Sequence, residues 1–459
     1  MKRLVFSLAL ILCLLAAVAG PVSAASNGKM IGINVMLNRD VSDSILTDLA
    51  THGKVRDVVA EINVVTLQAA EGELSTIRSL PYVAAANPDE ERSGAPIDTV
   101  GATNFTNGIN TWDLDAINVT NLQPGPARVV SYDGAGVYVA VLDTGLLDSW
   151  RQYFPQERIT TQYAIAFGGG GGEVGAVSSQ PNKWEHDQNS HGTHVTSTIL
   201  GYNRTGVSVN GVAPMATIIP VKVLNQNGSG WSSVVARGIV YVADLKAGPL
   251  ANSAVVINMS LGGPSLDAME KAAVDYAVSK GVIIVASAGN EGDAGMGYPG
   301  AYAPVISVAA SGWTGEWSPA GNRTWWYASD VPDPTNPDDF YITDFSSRQL
   351  AGQDLDVAAP GSWVVGPYQV NSGQISFYFL GGTSMASPHV AGIVALMAQK
   401  NPGLTATQAE SILTGAAIPL APGCRTILGS SGASEQVCWG ANATGAGLIT
   451  ADLALTATP

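Results

Sequence analysis

Three residue types that together perform acyl transfer occur once each in suggestive surroundings: Asp143 closes the apolar run VAVLDTG, His191 sits in HDQNSHGTHVTS, and Ser384 sits in GGTSMASPHVAG. A serine hydroxyl attacks a carbonyl when an imidazole takes its proton and a carboxylate orients that imidazole and stabilises its cation. Asn290, in SAGNEG, adds a side-chain amide that can donate to the oxyanion formed on attack. Losing one such donor costs about 100- to 1000-fold in rate. Each residue alone has a plainer explanation: a helix N-cap for Ser384, a turn or cap for Asp143, a left-handed turn residue for Asn290. His191 and His194, with His186 and Asp187 upstream, also raise the alternative of a zinc hydrolase, although no glutamate base or third spaced ligand accompanies them.

The elements that must hold these groups are legible around them. Apolar strands at 137–142, 217–223, 254–259, 282–286 and 305–309 alternate with helices near 232–245, 266–280, 384–399 and 405–414. That alternation predicts a mostly parallel sheet with helices on both faces, spanning 112–459. Asp143 and Asn290 follow strands, at the carboxyl edge where open α/β sheets place their sites. His191 and Ser384 open helices, where backbone donors and the positive dipole end favour an anion. Two insertions interrupt the scheme, a run of glycines at 168–172 and a segment at 313–341 carrying Trp313, Trp317, Trp325, Trp326, Tyr327 and Tyr341, read as a self-packed surface loop.

Upstream, 25–92 contains a small α+β pattern, with a strand at 31–37, a helix after Ser42, a strand at 58–67 and a helix at 72–80. The Gly-, Asn-, Thr- and Ser-rich stretch 93–111 reads as a linker. Residues 1–24 have a signal-peptide layout: Lys2 and Arg3, an apolar run, then Val22-Ser23-Ala24, which points to secretion. A formal charge of -15 excludes a phosphate-tracking surface, so nucleic acid is not an expected partner. Beyond the leader, Cys424 and Cys438 remain, either as separate thiols or as a bridge contributing about 3 kcal/mol.

Taken together, VAVLDTG, HDQNSHGTHV, SLGG, SAGNEG and GGTSMASPHVAG resemble the subtilisin family of serine proteases in order and content. The resemblance implies a three-layer α/β/α fold, Asp143 as orienting acid, His191 as general base, Ser384 as nucleophile, and Asn290 with the Ser384 N–H as oxyanion hole. It implies that Ser260, Leu261 and Gly262 wall the pocket for the side chain before the cut. Gly297 would keep that pocket roomy, suiting large apolar residues, and Gly228, Ser229 and Gly230 would pair with extended substrate. By the same resemblance, 25–92 is an inhibitory, chaperone-like propeptide ending near Arg92, with processing between 92 and 112. GAGLITADLA matches the family's closing helix, and a monomer acting on peptides is expected. No cofactor is expected for the chemistry. Structural calcium is possible at the 201–209 loop through Asn203, although Gln152 stands where many members carry an acidic ligand. A catalytically silent binding protein of the same fold is the remaining alternative.

Overall fold

The computed structural model describes residues 28–102, 111–121, 127–169, 174–204, 207–317, 331–332 and 334–459. The leader at 1–24 therefore lies outside the described residues, as do most of the glycine run and Trp325, Trp326 and Tyr327.

Among the described residues the main sheet has nine strands. Eight follow the order Val174–Ser178, Ile165–Gly169, Thr217–Lys222, Val137–Asp143, Ala254–Met259, Ile283–Ser287, Ile306–Trp313 and Phe340–Ile342, and Val357–Pro360 also pairs with Ile306–Trp313. Only the pairings of Val174–Ser178 and Phe340–Ile342 are antiparallel. Alternate residues of Val137–Asp143 point to opposite faces. Val139 and Val141 pack with Val195 of helix His191–Leu200 and Ile393 of helix Thr383–Lys400. Ala140 and Leu142 pack with Val235 of Ser232–Ala247 and Val274 of Ala268–Ser279. Two helical layers thus enclose the sheet, giving the expected three-layer α/β/α fold, and strands covered on both faces read as continuous apolar runs. Thr383–Lys400 is buried along almost its whole length, which is why it lacks a polar stripe.

The N-terminal unit is an antiparallel sheet in the order Lys54–Val59, Val64–Ala70, Met30–Leu37, Val83–Pro88, with helices Asp43–His52 and Glu73–Arg78. The single strand expected at 58–67 is instead two, because a 3-10 turn at Ala60–Ile62 and Asn63 at φ 54° reverse the chain into a hairpin. One face of the sheet, with Ile33, Val35 and Leu67, packs with Leu49 and Ile77 of the unit's own helices. The other lies against Ala268–Ser279 of the main domain, where Asn34 donates to Asp267 at 2.8 Å and Thr66 faces Met269. Asp89 accepts from the Ser233 N–H at 2.9 Å, so a side chain of the small unit caps helix Ser232–Ala247 of the large one.

The stretch 93–111, read as a linker, is described only at 93–102 and 111, and the described part includes short strands. Glu91–Ser93 pairs antiparallel with Ser229–Trp231, and Asp98–Gly101 pairs antiparallel with Phe377–Gly381. Polar, glycine-rich composition hides strands this short, because the main domain supplies their partners. In the aromatic insertion, Trp313, Trp317 and Tyr341 are buried, and Trp317 meets Trp363 edge-on at 5.1 Å. Near the C-terminus the hairpin Gly423–Leu428/Ser434–Trp439 sets Cys424 opposite Cys438, joined by a disulfide.

Candidate active site

Asp143 and His191 reach each other from a strand end and a helix start. His191 Nδ1 lies 2.9 Å and 3.0 Å from the two Asp143 carboxylate oxygens, and both side chains are fully buried. The carboxylate also accepts from the Thr144 N–H at 2.7 Å. Thr144 Oγ1 in turn donates to buried Asp187 at 2.8 Å and accepts from the Gly192 N–H at 2.9 Å, which ties the strand end to the helix start. Burial disfavours the His191 cation, but the Asp143 charge and hydrogen bond outweigh it and raise the imidazole above its ordinary 6.5. With Nδ1 committed to Asp143, Nε2 is buried without a hydrogen-bond partner among the described residues. His194 turns away: its Nε2 lies 3.1 Å from the Val364 carbonyl, and burial, with His191 nearby, lowers it to about 3. Such divergent rings do not make a zinc site. The only group of three with metal-ligand spacing among the described residues, Asp354, Asp356 and Glu410, contains no histidine.

Ser384 is the second residue of helix Thr383–Lys400. Its Oγ donates to the Ser260 carbonyl at 3.2 Å, while Ser260 Oγ donates to the Ser384 carbonyl at 2.8 Å. This reciprocal pair anchors the helix start to the end of strand Ala254–Met259. Asn290 Oδ1 accepts from both the Thr383 N–H and Thr383 Oγ1 at 2.9 Å. Two donors on the oxygen fix the amide so that its NH₂ group remains for a third acceptor, the orientation an oxyanion donor needs. The role of Thr383 was not read from the sequence, since a threonine at a helix start carries no further signal.

A cavity of about 180 Å³ beside these groups is lined by Gly262, Gly289, Asn290, Gly297 and Ser384, and by Ala95, Pro96 and Ile97 of the chain's own N-terminal side. Of the residues expected to shape the subsites, Gly262 and Gly297 line this cavity, and Gly228, Ser229 and Gly230 lie along the strand that enters it. Ser93 exchanges N–H···O bonds of 2.9 Å and 3.0 Å with Gly262, and Gly94 N–H donates to the Gly228 carbonyl at 2.9 Å. Ser229 and Gly230 pair with Ser93 and Arg92, while Leu261 is buried behind the wall. Gly94 lies so close to the imidazole that a Cβ there would sit 3.3 Å from His191 Cε1. Past the serine, Ile97 N–H donates to the Gly381 carbonyl at 2.7 Å. The uncut chain thus runs through the cleft as an added strand, with Ala95 in the pocket beside Ser384.

A family model described as the subtilase family matches residues 134–440. The chain belongs to the subtilase family. It is similar to subtilisin DY of Bacillus licheniformis, at 36% identity over 293 residues, 63% of this chain and 86% of that one. It is also similar to the thermostable alkaline protease of Halalkalibacterium halodurans, at 32% identity over 348 residues, 76% of each. Among solved structures, fervidolysin from Fervidobacterium pennivorans, described as a keratinolytic enzyme related to subtilisin, superposes with a TM-score of 0.64 over 94% of this chain and 61% of that one. At 24% identity that likeness bears on the fold alone. As a subtilase the protein is a serine-type endopeptidase acting on peptide bonds.

Proposed function

We propose that the protein is a secreted endopeptidase that works through an acyl-enzyme on Ser384, and that 25–92 is its inhibitory propeptide, removed by self-cleavage. His191 Nε2 would take the Ser384 proton and return it to the leaving amine. Asp143 would hold the imidazole tautomer and stabilise its cation, and Asn290 Nδ2 with the Ser384 N–H would receive the oxyanion. The observation that carries this reading is the course of Ser93–Ile97, which lies in substrate fashion between Ser229–Trp231 and Gly262 and delivers Ala95 to Ser384. A chain so placed blocks the cleft until it is cut and released, and processing falls within the 92–112 window.

Secretion rests on the leader-like 1–24, and no helix among the described residues is long and apolar enough to cross a membrane. The reading includes a monomer with no nucleic-acid partner. For structural calcium the donor set is poor. The 201–209 loop forms the ribbon Tyr202–Arg204/Val207–Val209, its Asn203 Oδ1 accepts from Ser208, and its described residues offer no carboxylate. No step is assigned to a metal.

A fluorophosphonate probe tests the nucleophile: the processed full chain should be labelled and Ser384→Ala should not, whereas folded, processed protein that resists labelling ends the proposal. Open backbone at Gly262 and Gly297 leaves the pocket deeper than Ala95 requires, which supports a preference for large apolar residues before the cut. A peptide-library cleavage profile dominated there by acidic or small residues would overturn that preference.

A further inference from the structure

Arg92 and Glu270 form an ion pair whose side chains are both wholly buried. The geometry is bidentate: Nε donates to one Glu270 oxygen at 3.0 Å and Nη2 to the other at 2.8 Å. Nη2 also donates to the Ser265 carbonyl at 2.9 Å, and Nη1 to the Glu91 carbonyl at 3.1 Å. Gly263 admits the stem, since a Cβ there would fall 2.6 Å from Nη1. Among the described residues the Glu270 carboxylate accepts from this arginine alone, and burial raises its pKa against the opposing pull of Arg92.

The two halves of this pair belong to different parts of the mechanism. Arg92 sits on the strand that occupies the cleft, three residues before Ala95, so it is the fourth residue on the amino side of the bond presented to Ser384. Glu270 belongs to helix Ala268–Ser279 of the catalytic domain and stays when that strand leaves. The ladder that places Arg92 over Glu270 uses the backbone of Ser229–Trp231 and Gly262, and an extended peptide of any sequence can make the same bonds. What a new peptide must supply itself is the guanidinium. A carboxylate wholly buried beneath the strand penalises an apolar occupant, which would leave it unpaired, and rewards the planar fork of arginine over the point charge of lysine.

We infer that Glu270, the Ser265 carbonyl and Gly263 form a subsite that selects arginine at the fourth residue before the scissile bond of protein substrates. The inference rests on the protease reading above and adds to it a sequence preference remote from the cut. The full chain, once it has released its N-terminal unit, is assayed with fluorogenic peptides identical except for Arg, Lys, Leu or Glu at that position. The expected kcat/KM is about 10- to 100-fold higher for Arg than for Leu, the range for a hydrogen bond to a charged group, with Lys between them and Glu lowest. In Glu270→Leu the Arg-to-Leu ratio should fall to one or below. Because both substrates meet the same enzyme sample, that ratio does not depend on how much of the variant is folded. Equal kcat/KM for Arg and Leu in the wild type overturns the subsite while leaving the protease reading intact. No cleavage of any peptide, together with no fluorophosphonate labelling, overturns both.

Discussion

His191 is pulled in opposite directions by its surroundings, and the outcome sets the pH at which the enzyme works. Burial alone would keep the imidazole neutral, but the Asp143 carboxylate wins, so the cation persists above the ordinary 6.5. In the proposed role only the neutral ring can accept the Ser384 proton, so activity should be lost as pH falls through this raised pKa and be fully present above it. Asp143→Asn should move the acid limb of kcat/KM to lower pH and cut kcat by about 10⁴-fold; an unshifted limb would remove Asp143 from the role. Asn290→Ala should lower kcat by about 100- to 1000-fold with little change in KM, measured on a short peptide. These residues were legible because each one's type and its place after a strand or at a helix start pointed the same way. Glu270 was not, since in Met269-Glu270-Lys271 it looks like an ordinary charge on a helix surface. It is buried, paired with Arg92, 178 residues away.

At the scale of elements, the helix Ser232–Ala247 has no side-chain cap from its own N-cap residue, Trp231, and takes one from Asp89. Desolvation pushes Asp89 up to about 6, with the Ser233 hydroxyl opposing and Asp267 adding to the rise. Since the docked state favours the protonated acid, its contribution to docking is complete below the free value of 3.8 and fades as pH rises through 6. Inhibition of the processed enzyme by the separate N-terminal unit should therefore weaken about 10-fold between pH 5 and pH 7, and Asp89→Asn should flatten that dependence. A wild-type profile no steeper than the variant's would refute this. The long buried strands and helices of the main domain were readable from apolar runs. Glu91–Ser93 and Asp98–Gly101 were not, because strands of so few residues have no period of their own and exist through partners far along the chain. The break at Asn63 was missed for a related reason: β-branched residues flank it on both sides and only one left-handed residue marks the turn.

At the scale of the whole molecule, the two units share buried hydrogen bonds, a helix cap and a strand, so the main domain should fold poorly without its N-terminal part. The catalytic domain expressed from residue 112 should give little active enzyme, recovered when the N-terminal unit is supplied separately. Equal yields with and without it would contradict the chaperone role. The first cleavage, being internal to one chain, should show a half-time unchanged by dilution in purified precursor, whereas an intermolecular cut would slow in proportion.

The cleft strand is held on both sides of Ser384, by Gly228 and Gly262 before it and by Phe377–Gly381 after it. Tethering gives the segment an effective concentration in its own cleft of the order of millimolar, far above most free peptides, so on the proposed reading the intact chain should ignore substrates however well they fit. On the proposed reading a single cut leaves the segment after Ser384 attached to the catalytic domain and frees only the N-terminal piece, which is then diluted to the concentration of the protein itself. The proposed switch is one of connectivity rather than shape, and dilution after the cut, not before it, should decide how quickly activity appears.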